Sequence, residues 1–222
     1  MDPPRQRIDQ LRQRIDTTFI YVTHDQTEAM TLGDRIVIMK DGFIQQIGTP
    51  QEVFNHPYNL FVATFIGTPQ MNMFENAKLV KADGKYAVQL DNQTVVLSDE
   101  KQAKLAASNV AEQDVVLGVR PEDIHDEENF IAASPDTVVK AFIEVLEKLG
   151  AETQIYCKLD YKEGETVESA TDSIADSSYM VAKIDSRSLV NRGEVVELAL
   201  DARHIHLFDG ATEMSILSLI HI

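Results

Sequence analysis

Beyond residue 68, turn residues divide this sequence into short apolar runs of strand length, and that pattern constrains the fold most. Gly or Asp-Gly pairs separate runs rich in Val, Ile, Tyr and Phe, as expected for strands. The pattern predicts strands at 72–81, 85–90, 94–98, 115–120, 138–149, 153–159, 179–184, 194–200 and 204–208. A helix is predicted at 99–107, and the acidic stretch 160–178 is predicted to be a solvated loop. Many short strands at this spacing are typical of small closed barrels or of a sandwich.

The first 67 residues have a different sequence pattern, in which helix-like and strand-like runs alternate. Ile8, Leu11 and Ile15 lie at helical spacing and predict an amphipathic helix over residues 5–16. Residues 17–23 are β-branched or aromatic almost throughout. Such a run predicts a strand that is covered on both faces within a parallel sheet.

A strand, a polar turn and a helix follow one another around His24. Asp25 is placed as a helix N-cap with Glu28 three residues on, as in a capping box, before a helix at 26–32 that Gly33 ends. Open α/β sheets place ligand chemistry at the carboxyl end of a strand, where His24 lies. A neutral imidazole there can bond to a phosphate oxygen or to an attacking water. The alternative is a histidine that only caps the turn.

Two further local signals follow in the same region. An Asp-Gly pair at 41–42 lies between the apolar runs 35–39 and 43–47, which is a strong hairpin signal. Thr49, followed by proline and then by Glu52, combines an N-cap with the acidic partner of a capping box. These signals predict a hairpin and then a short helix.

The charge balance excludes one class of partner. The chain has 20 Lys and Arg against 36 Asp and Glu, a formal net charge of −16. Arginines near the N-terminus are interleaved with aspartates and form no basic patch, so nucleic-acid binding is not expected. A single cysteine, Cys157, excludes an internal disulfide framework. No apolar stretch approaches the roughly 18 residues of a membrane span.

Other candidate sites are weaker. Arg120, before Pro121, is interpreted as a structural turn with an arginine–carboxylate pair rather than as a ligand contact. The acidic cluster at 122–128 lacks the glycine and alternating ligands of a calcium loop, which favours a solvated turn. His204 and His206 alternate on a predicted strand and are able to face one side, but without a third ligand a polar sheet face is favoured over a metal site. No metal site is therefore predicted.

Several segments, in one order along the chain, carry a family resemblance. They are TFIYVTHDQTEAM at 18–30, DRIVIMKDG at 34–42, GTPQEVF at 48–54, HPYNLFV at 56–62, FIG at 65–67, MN at 71–72, GVRPED at 118–123, LG at 149–150 and HIHLFD at 204–209. Together they resemble ATPase subunits of sugar-importing ABC transporters of the maltose and multiple-sugar branch. The resemblance covers about 190 residues.

This resemblance implies a domain organisation. Residues 1–67 would be the α/β remnant of a P-loop nucleotide-binding domain, and 68–213 a mainly β regulatory domain of OB-like small barrels. His24 matches the switch histidine that acts on the γ-phosphate, so it is the implied catalytic and ATP-contacting residue. The full-length family protein would use ATP and Mg²⁺, and its regulatory domain would pair across a homodimer and receive regulatory proteins. Transmembrane permease subunits would hold it at the inner face of the cell membrane.

Several family motifs are absent from the 222 residues. The sequence has no G-x-x-x-x-G-K-[ST] phosphate loop, no Leu-Ser-Gly-Gly signature, no glutamine loop, and no apolar strand that ends in Asp-Glu. The family carries all of these before the switch histidine, and only about 23 residues precede His24. We therefore expect a fragment that neither binds ATP usefully nor hydrolyses it. Whether it is an enzyme stays open, and so does the solute.

Two alternatives remain at this point. The chain is also compatible with a non-catalytic OB-like module that binds a ligand or a regulator and dimerises. Residues 214–222 form an apolar tail after a polar turn, and the last six resemble a translated sequencing adaptor. The tail is interpreted as a cloning scar, with a short edge strand or helix as the alternative.

Overall fold

A computed structural model describes residues 18–161 and 179–217 of the chain. The chain divides into two compact units, Met1–Gly67 and Thr68–Ile222. The predicted helix at 5–16, residues 162–178 of the predicted loop and residues 218–222 of the tail lie outside the described residues. Among the described helices, none has the length and apolar character needed to cross a membrane.

Within residues 18–67, the first unit contains a hairpin and short helices. Its elements are α1 (Gln26–Leu32), β1 (Ile36–Lys40), β2 (Phe43–Gly48), α2 (Pro50–Asn55) and α3 (Leu60–Phe65). The predicted hairpin is confirmed: Asp41 and Gly42 have φ of 51° and 84°, both left-handed as a two-residue I′ turn requires. The capping box that starts α2 is also confirmed, because Thr49 and Glu52 bond reciprocally.

One face of the hairpin forms the small core of this unit. Ile36 and Ile38 of β1 pack with Val53 of α2, Val62 of α3 and Ile66. The opposite face is apolar too, but it is exposed: Met39 is 56% accessible and Ile44 54%, with Val37 and Ile47 beside them. Both faces of this hairpin therefore have the composition of buried surface.

The predicted strand at 17–23 is wrong for the part that the structure describes. Residues 18–23 are irregular, and Ile20 and Val22 are 92% and 90% exposed. A strand persists only when neighbours take up its backbone hydrogen bonds. No described strand pairs with this segment.

The second unit holds two five-stranded antiparallel sheets. Its strands are β3 (Asn72–Ala82), β4 (Lys85–Leu90), β5 (Gln93–Val96), β6 (Gln113–Val119), β7 (Ile124–His125), β8 (Val138–Lys148), β9 (Glu152–Lys158), β10 (Met180–Asp185), β11 (Val195–Leu200) and β12 (His206–Asp209). One sheet has the order β12-β6-β3-β4-β5, and the other has the order β10-β9-β8-β11-β7. All nine predicted strands form, with bounds shifted by up to two residues.

Short helices connect these strands. The predicted helix is confirmed as α4 (Asp99–Ala107). Strand β7 and helix α5 (Glu128–Ala133) are additional, and 3₁₀ turns lie at Pro121–Asp123 and Pro135–Thr137. The acidic cluster at 122–128, interpreted as a solvated turn, is thus partly regular structure.

The two sheets share one hydrophobic core. Alternation of buried and less buried residues is clear in β9 and β10, whereas β4 and β6 are buried over consecutive residues. Leu79 and Leu117 of the first sheet and Ile143, Ile155 and Leu198 of the second are fully buried in this core. An additional link between the sheets comes from Gln93, whose side-chain amide donates to Lys140 O at 3.0 Å and accepts from Lys140 N.

Residues after the last strand lie along β12. Asp209 N donates to Met214 O and Ile216 N donates to Leu207 O, both at 2.9 Å. Ser215 forms an isolated antiparallel bridge with Phe208. The first residues of the apolar tail thus extend the pairing of β12.

Candidate functional site

His24 lies in the turn that precedes α1. Asp25 is the N-cap of this helix: its carboxylate accepts from Thr27 N at 2.8 Å and from Glu28 N at 3.1 Å. An N-cap carboxylate accepts hydrogen bonds from first-turn amides that have no acceptor within the helix. The predicted cap and the predicted bounds of the helix are confirmed, and His24 is left exposed directly before the cap.

The predicted capping box at α1 is wrong. Glu28 does not bond back to the amide of Asp25, because that amide donates to Thr23 Oγ1 at 3.0 Å. Glu28 Oε2 instead accepts from Thr23 Oγ1 at 2.8 Å and from Tyr21 Oη at 3.0 Å. The hydrogen bond and the negative charge of Glu28 raise the pKa of Tyr21 above its ordinary value.

Gln26 connects this turn to the end of the unit. Its Oε1 accepts from Gly67 N at 2.8 Å. Gly67 has φ of 118°, a conformation that favours glycine. The start of α1 and the last residue of the first unit are therefore held together by one side-chain hydrogen bond.

The two histidines near the C-terminus do not form a pair. His204 lies in a turn before β12, where its Nδ1 is 3.0 Å from Asp123 Oδ1 and 3.3 Å from Asp201 Oδ2. His206 begins β12 and stacks on Phe208 with ring centroids 6.4 Å apart. The prediction that both alternate on one strand is wrong, because the strand begins two residues later than predicted.

His204 belongs to a charged cluster that sequence reasoning missed. Asp201 is buried and accepts from Arg203 Nε at 3.0 Å and from Arg203 Nη2 at 2.7 Å. Burial alone would raise the pKa of Asp201, but the Arg203 hydrogen bonds and the nearby His204 hold it below its ordinary value. Lys101 of α4 donates to Arg203 O.

This cluster joins the two connections between the sheets. Asp123 follows β6, Asp201 follows β11, and Asp201 N donates to Asp123 O at 2.9 Å. Burial raises the pKa of Asp123, which His204 opposes. The sequence signal was the polar run Asp-Ala-Arg-His at 201–204, which stands directly after an apolar strand.

Arg120 is buried at the start of the 3₁₀ turn Pro121–Asp123. Burial lowers the pKa of its guanidinium, while the charges of Glu122 and Asp123 oppose that effect. This placement fits the structural interpretation of Arg120. Within 18–161 and 179–217, no group of three His, Cys, Asp or Glu side chains is arranged to hold a metal ion.

Comparisons with protein families match the second unit. The MalK OB fold domain family matches residues 67–124, and the TOBE domain family matches residues 117–208. The predicted OB-like, mainly β character of this part of the chain is confirmed.

Curated relatives match nearly the whole chain. The oligosaccharides import ATP-binding protein MsmX of Bacillus subtilis is 40% identical over 212 residues, which is 96% of this chain and 52% of MsmX. Its curated relatives are thus ATP-binding subunits of sugar-import ABC transporters. The multiple sugar-binding transport ATP-binding protein MsmK of Streptococcus mutans is 37% identical, with 96% of this chain and 54% of MsmK covered.

A third relative differs in its solute. The sn-glycerol-3-phosphate import ATP-binding protein UgpC of Psychromonas ingrahamii is 34% identical, with 96% of this chain and 50% of UgpC covered. The chain spans about half the length of the curated relatives that it matches, and it corresponds to their C-terminal part.

Proposed function

We propose that this chain is the C-terminal half of an ATP-binding subunit that couples ATP hydrolysis to the import of sugars or related solutes. In the whole subunit, His24 contacts the γ-phosphate or the attacking water. The observation that carries the proposal is the placement of His24. It is exposed in a turn in which Asp25 N donates to Thr23 Oγ1 and the Asp25 carboxylate accepts from Thr27 N and Glu28 N of α1.

The polar groups around His24 fit a partial nucleotide site. The amides of Thr27 and Glu28 already bind the Asp25 carboxylate, so they are committed and do not cradle phosphate. His24 supplies one directional hydrogen bond, whereas phosphoryl transfer also needs cationic and backbone contacts on the β- and γ-phosphates. ATP with Mg²⁺ therefore fits this turn only when another part of the subunit supplies those contacts.

The exposed apolar surface of the first unit supports the same proposal. The second face of the hairpin, with Val37, Met39, Ile44 and Ile47, has the composition of a covered sheet. The segment 18–23 is exposed and equally apolar. Both surfaces are expected to be buried by the rest of a nucleotide-binding domain, because large contiguous apolar patches are rarely exposed on folded soluble proteins.

The partners follow from the same assignment. Transmembrane permease subunits of the importer would bind the subunit at the inner face of the cell membrane, and the second unit would pair in a homodimer or receive a regulatory protein. Relatives named for oligosaccharides, for multiple sugars and for sn-glycerol-3-phosphate support sugars or related solutes as the cargo class.

A fusion protein tests the proposal. The N-terminal half of MsmX is joined to this chain from residue 18 onward, and Mg²⁺-dependent phosphate release is compared with that of a His24→Ala variant. We expect loss of activity by about 100-fold or more, as for loss of one contact to a transition-state charge. His56→Ala changes another exposed histidine of the same unit and serves as the control. Equal activity of the His24→Ala variant and the parent fusion would reject the assigned role.

A second function is favoured by the shared core of the second unit. Its two sheets enclose a continuous core and include both matched family domains. A non-catalytic module that binds a ligand or regulator and dimerises would need only this unit. Sedimentation of residues 68–217 would reveal a dimer if this role holds, and a monomer at all concentrations would count against dimerisation.

A further inference from the structure

One carboxylate oxygen holds the segment that carries His24. Glu28 Oε2 accepts a hydrogen bond from Thr23 Oγ1 at 2.8 Å and another from Tyr21 Oη at 3.0 Å. Both donors precede His24 in the chain, whereas Glu28 lies one turn into α1. The carboxylate therefore bridges the helix and the segment before it, across the histidine.

The bridge continues to the residue after His24. Thr23 Oγ1, which donates to Glu28, also accepts from Asp25 N at 3.0 Å. The Asp25 carboxylate in turn accepts from Glu28 N at 3.1 Å. The two neighbours of His24 are thus linked to each other and to the first turn of α1 in a closed set of hydrogen bonds.

The helix itself does not need this carboxylate. Asp25 already caps α1, and the Glu28 side chain accepts no bond from the backbone of the helix. Alanine is the best helix former, so replacing Glu28 by Ala favours α1 by intrinsic propensity. This gain offsets the favourable interaction of the Glu28 charge with the helix dipole, so the main loss falls on the segment that precedes the helix.

We propose that Glu28 is the positioning residue for His24: its carboxylate fixes Thr23, and through Thr23 the turn that presents the imidazole to the nucleotide. This inference rests on the proposed function of His24. Preorganisation of this kind matters because phosphoryl transfer depends on positioning, and a small misplacement of a contacting group costs a large factor in rate.

The first test uses the 222-residue chain and nuclear magnetic resonance. In the parent chain, amide order parameters at residues 23–25 are expected near the value of about 0.85 for rigid backbone, and in Glu28→Ala they fall toward about 0.6 or less. Glu28→Gln keeps an acceptor oxygen and is expected to restore order. Thr31→Ala, which removes a hydroxyl bonded only within α1, is the control.

The tyrosine gives a separate spectroscopic readout. Glu28 raises the pKa of Tyr21, so Glu28→Gln should lower it toward the ordinary value, whereas Thr31→Ala should not. Unchanged order at residues 23–25 in Glu28→Ala would overturn the proposal, whatever the Tyr21 titration shows. These measurements need no ATP hydrolysis. They therefore test whether Glu28 orders residues 23–25 independently of any role of His24 in catalysis.

The second test uses the fusion with the N-terminal half of MsmX. Glu28→Ala is expected to lower kcat by about tenfold or more with little change in KM for ATP, and Glu28→Gln should recover most of it. A kcat unchanged in Glu28→Ala while His24→Ala is inactive would overturn the positioning role alone. Full activity in both variants would reject the function of His24 and the role of Glu28 with it.

Discussion

The side-chain amide of Asn72 pairs with the backbone of Val181 as a neighbouring strand would, although 109 residues separate them. Asn72 Oδ1 accepts from Val181 N at 2.7 Å, and Asn72 Nδ2 donates to Val181 O at 2.8 Å. The same Nδ2 donates to Val119 O at 3.0 Å. One buried side chain on β3 thus satisfies the backbone of β6 and of β10, which belong to different sheets.

Removal of this amide should destabilise the second unit. Asn72→Ala removes three hydrogen bonds to the backbone, those with Val181 N, Val181 O and Val119 O, and loss of a partner costs a buried group on the order of 1–3 kcal/mol and a part-buried group less. We expect the free energy of unfolding to fall by about 2–4 kcal/mol, measured by urea denaturation. Asn92→Ala, at an exposed turn position, is the control and should stay within about 0.5 kcal/mol of the parent. A loss below that limit for Asn72→Ala would contradict the assigned role.

Lys101 gives a pH dependence with a definite direction. Burial lowers the pKa of its ammonium to about 8, against about 10.4 in an unfolded chain. Between these values the unfolded chain holds a proton that the folded chain has released. The contribution of Lys101 to stability therefore rises with pH across this window, by up to about 3 kcal/mol, whereas the raised pKa of Cys157 acts in the opposite direction above about 8.5.

Variants isolate this contribution. The free energy of unfolding of the parent, relative to that of Lys101→Met, should increase between pH 8 and about 10.4, because Cys157 contributes equally to both proteins. Lys104→Met, which changes a more exposed lysine paired with Glu100 on the same helix, should retain it. Parallel pH profiles for the parent and Lys101→Met would show that the buried ammonium has no such effect.

Cys157 reports on unfolding of the second unit. Burial in β9 raises the pKa of its thiol to about 12, and only the thiolate is nucleophilic. At neutral pH, labelling by a disulfide reagent should be slower than for a free thiol by about three orders of magnitude or more, and rapid in denaturant. Because the chain has a single cysteine, the signal has one source. Stoichiometric labelling of the native chain within seconds would contradict the buried placement.

Features that depend on neighbouring residues were predictable from the sequence. The Asp-Gly turn fixes the first hairpin because two left-handed residues match the twist of its strands. Thr49 and Glu52 start α2 through bonds that span three residues. Nine of the ten described strands of the second unit were predictable as apolar runs between turn residues, even where their ends were not, whereas the two-residue strand β7 was missed.

Features that depend on residues distant in the chain were not predictable from the sequence. The contact of His204 with Asp123 arises from folding of two connections onto each other, and the polar run at 201–204 indicates the cluster but not this distant partner. At α1, the spacing of Asp25 and Glu28 suggested a capping box. The Asp25 amide that a capping box requires donates to Thr23 Oγ1 instead, and the Glu28 carboxylate accepts a hydrogen bond from the Thr23 hydroxyl. The segment 18–23 has strand composition, but composition does not supply the neighbours that a strand needs.

The most direct test of the central claim is Mg²⁺-dependent phosphate release from ATP, measured in three samples. These are the 222-residue chain alone, its fusion to the N-terminal half of MsmX, and the same fusion with His24→Ala. Activity in the fusion alone, with the His24→Ala fusion reduced by about 100-fold or more, is the predicted result. Phosphate release by the isolated chain that disappears in its own His24→Ala variant would contradict the account, as would a fully active His24→Ala fusion.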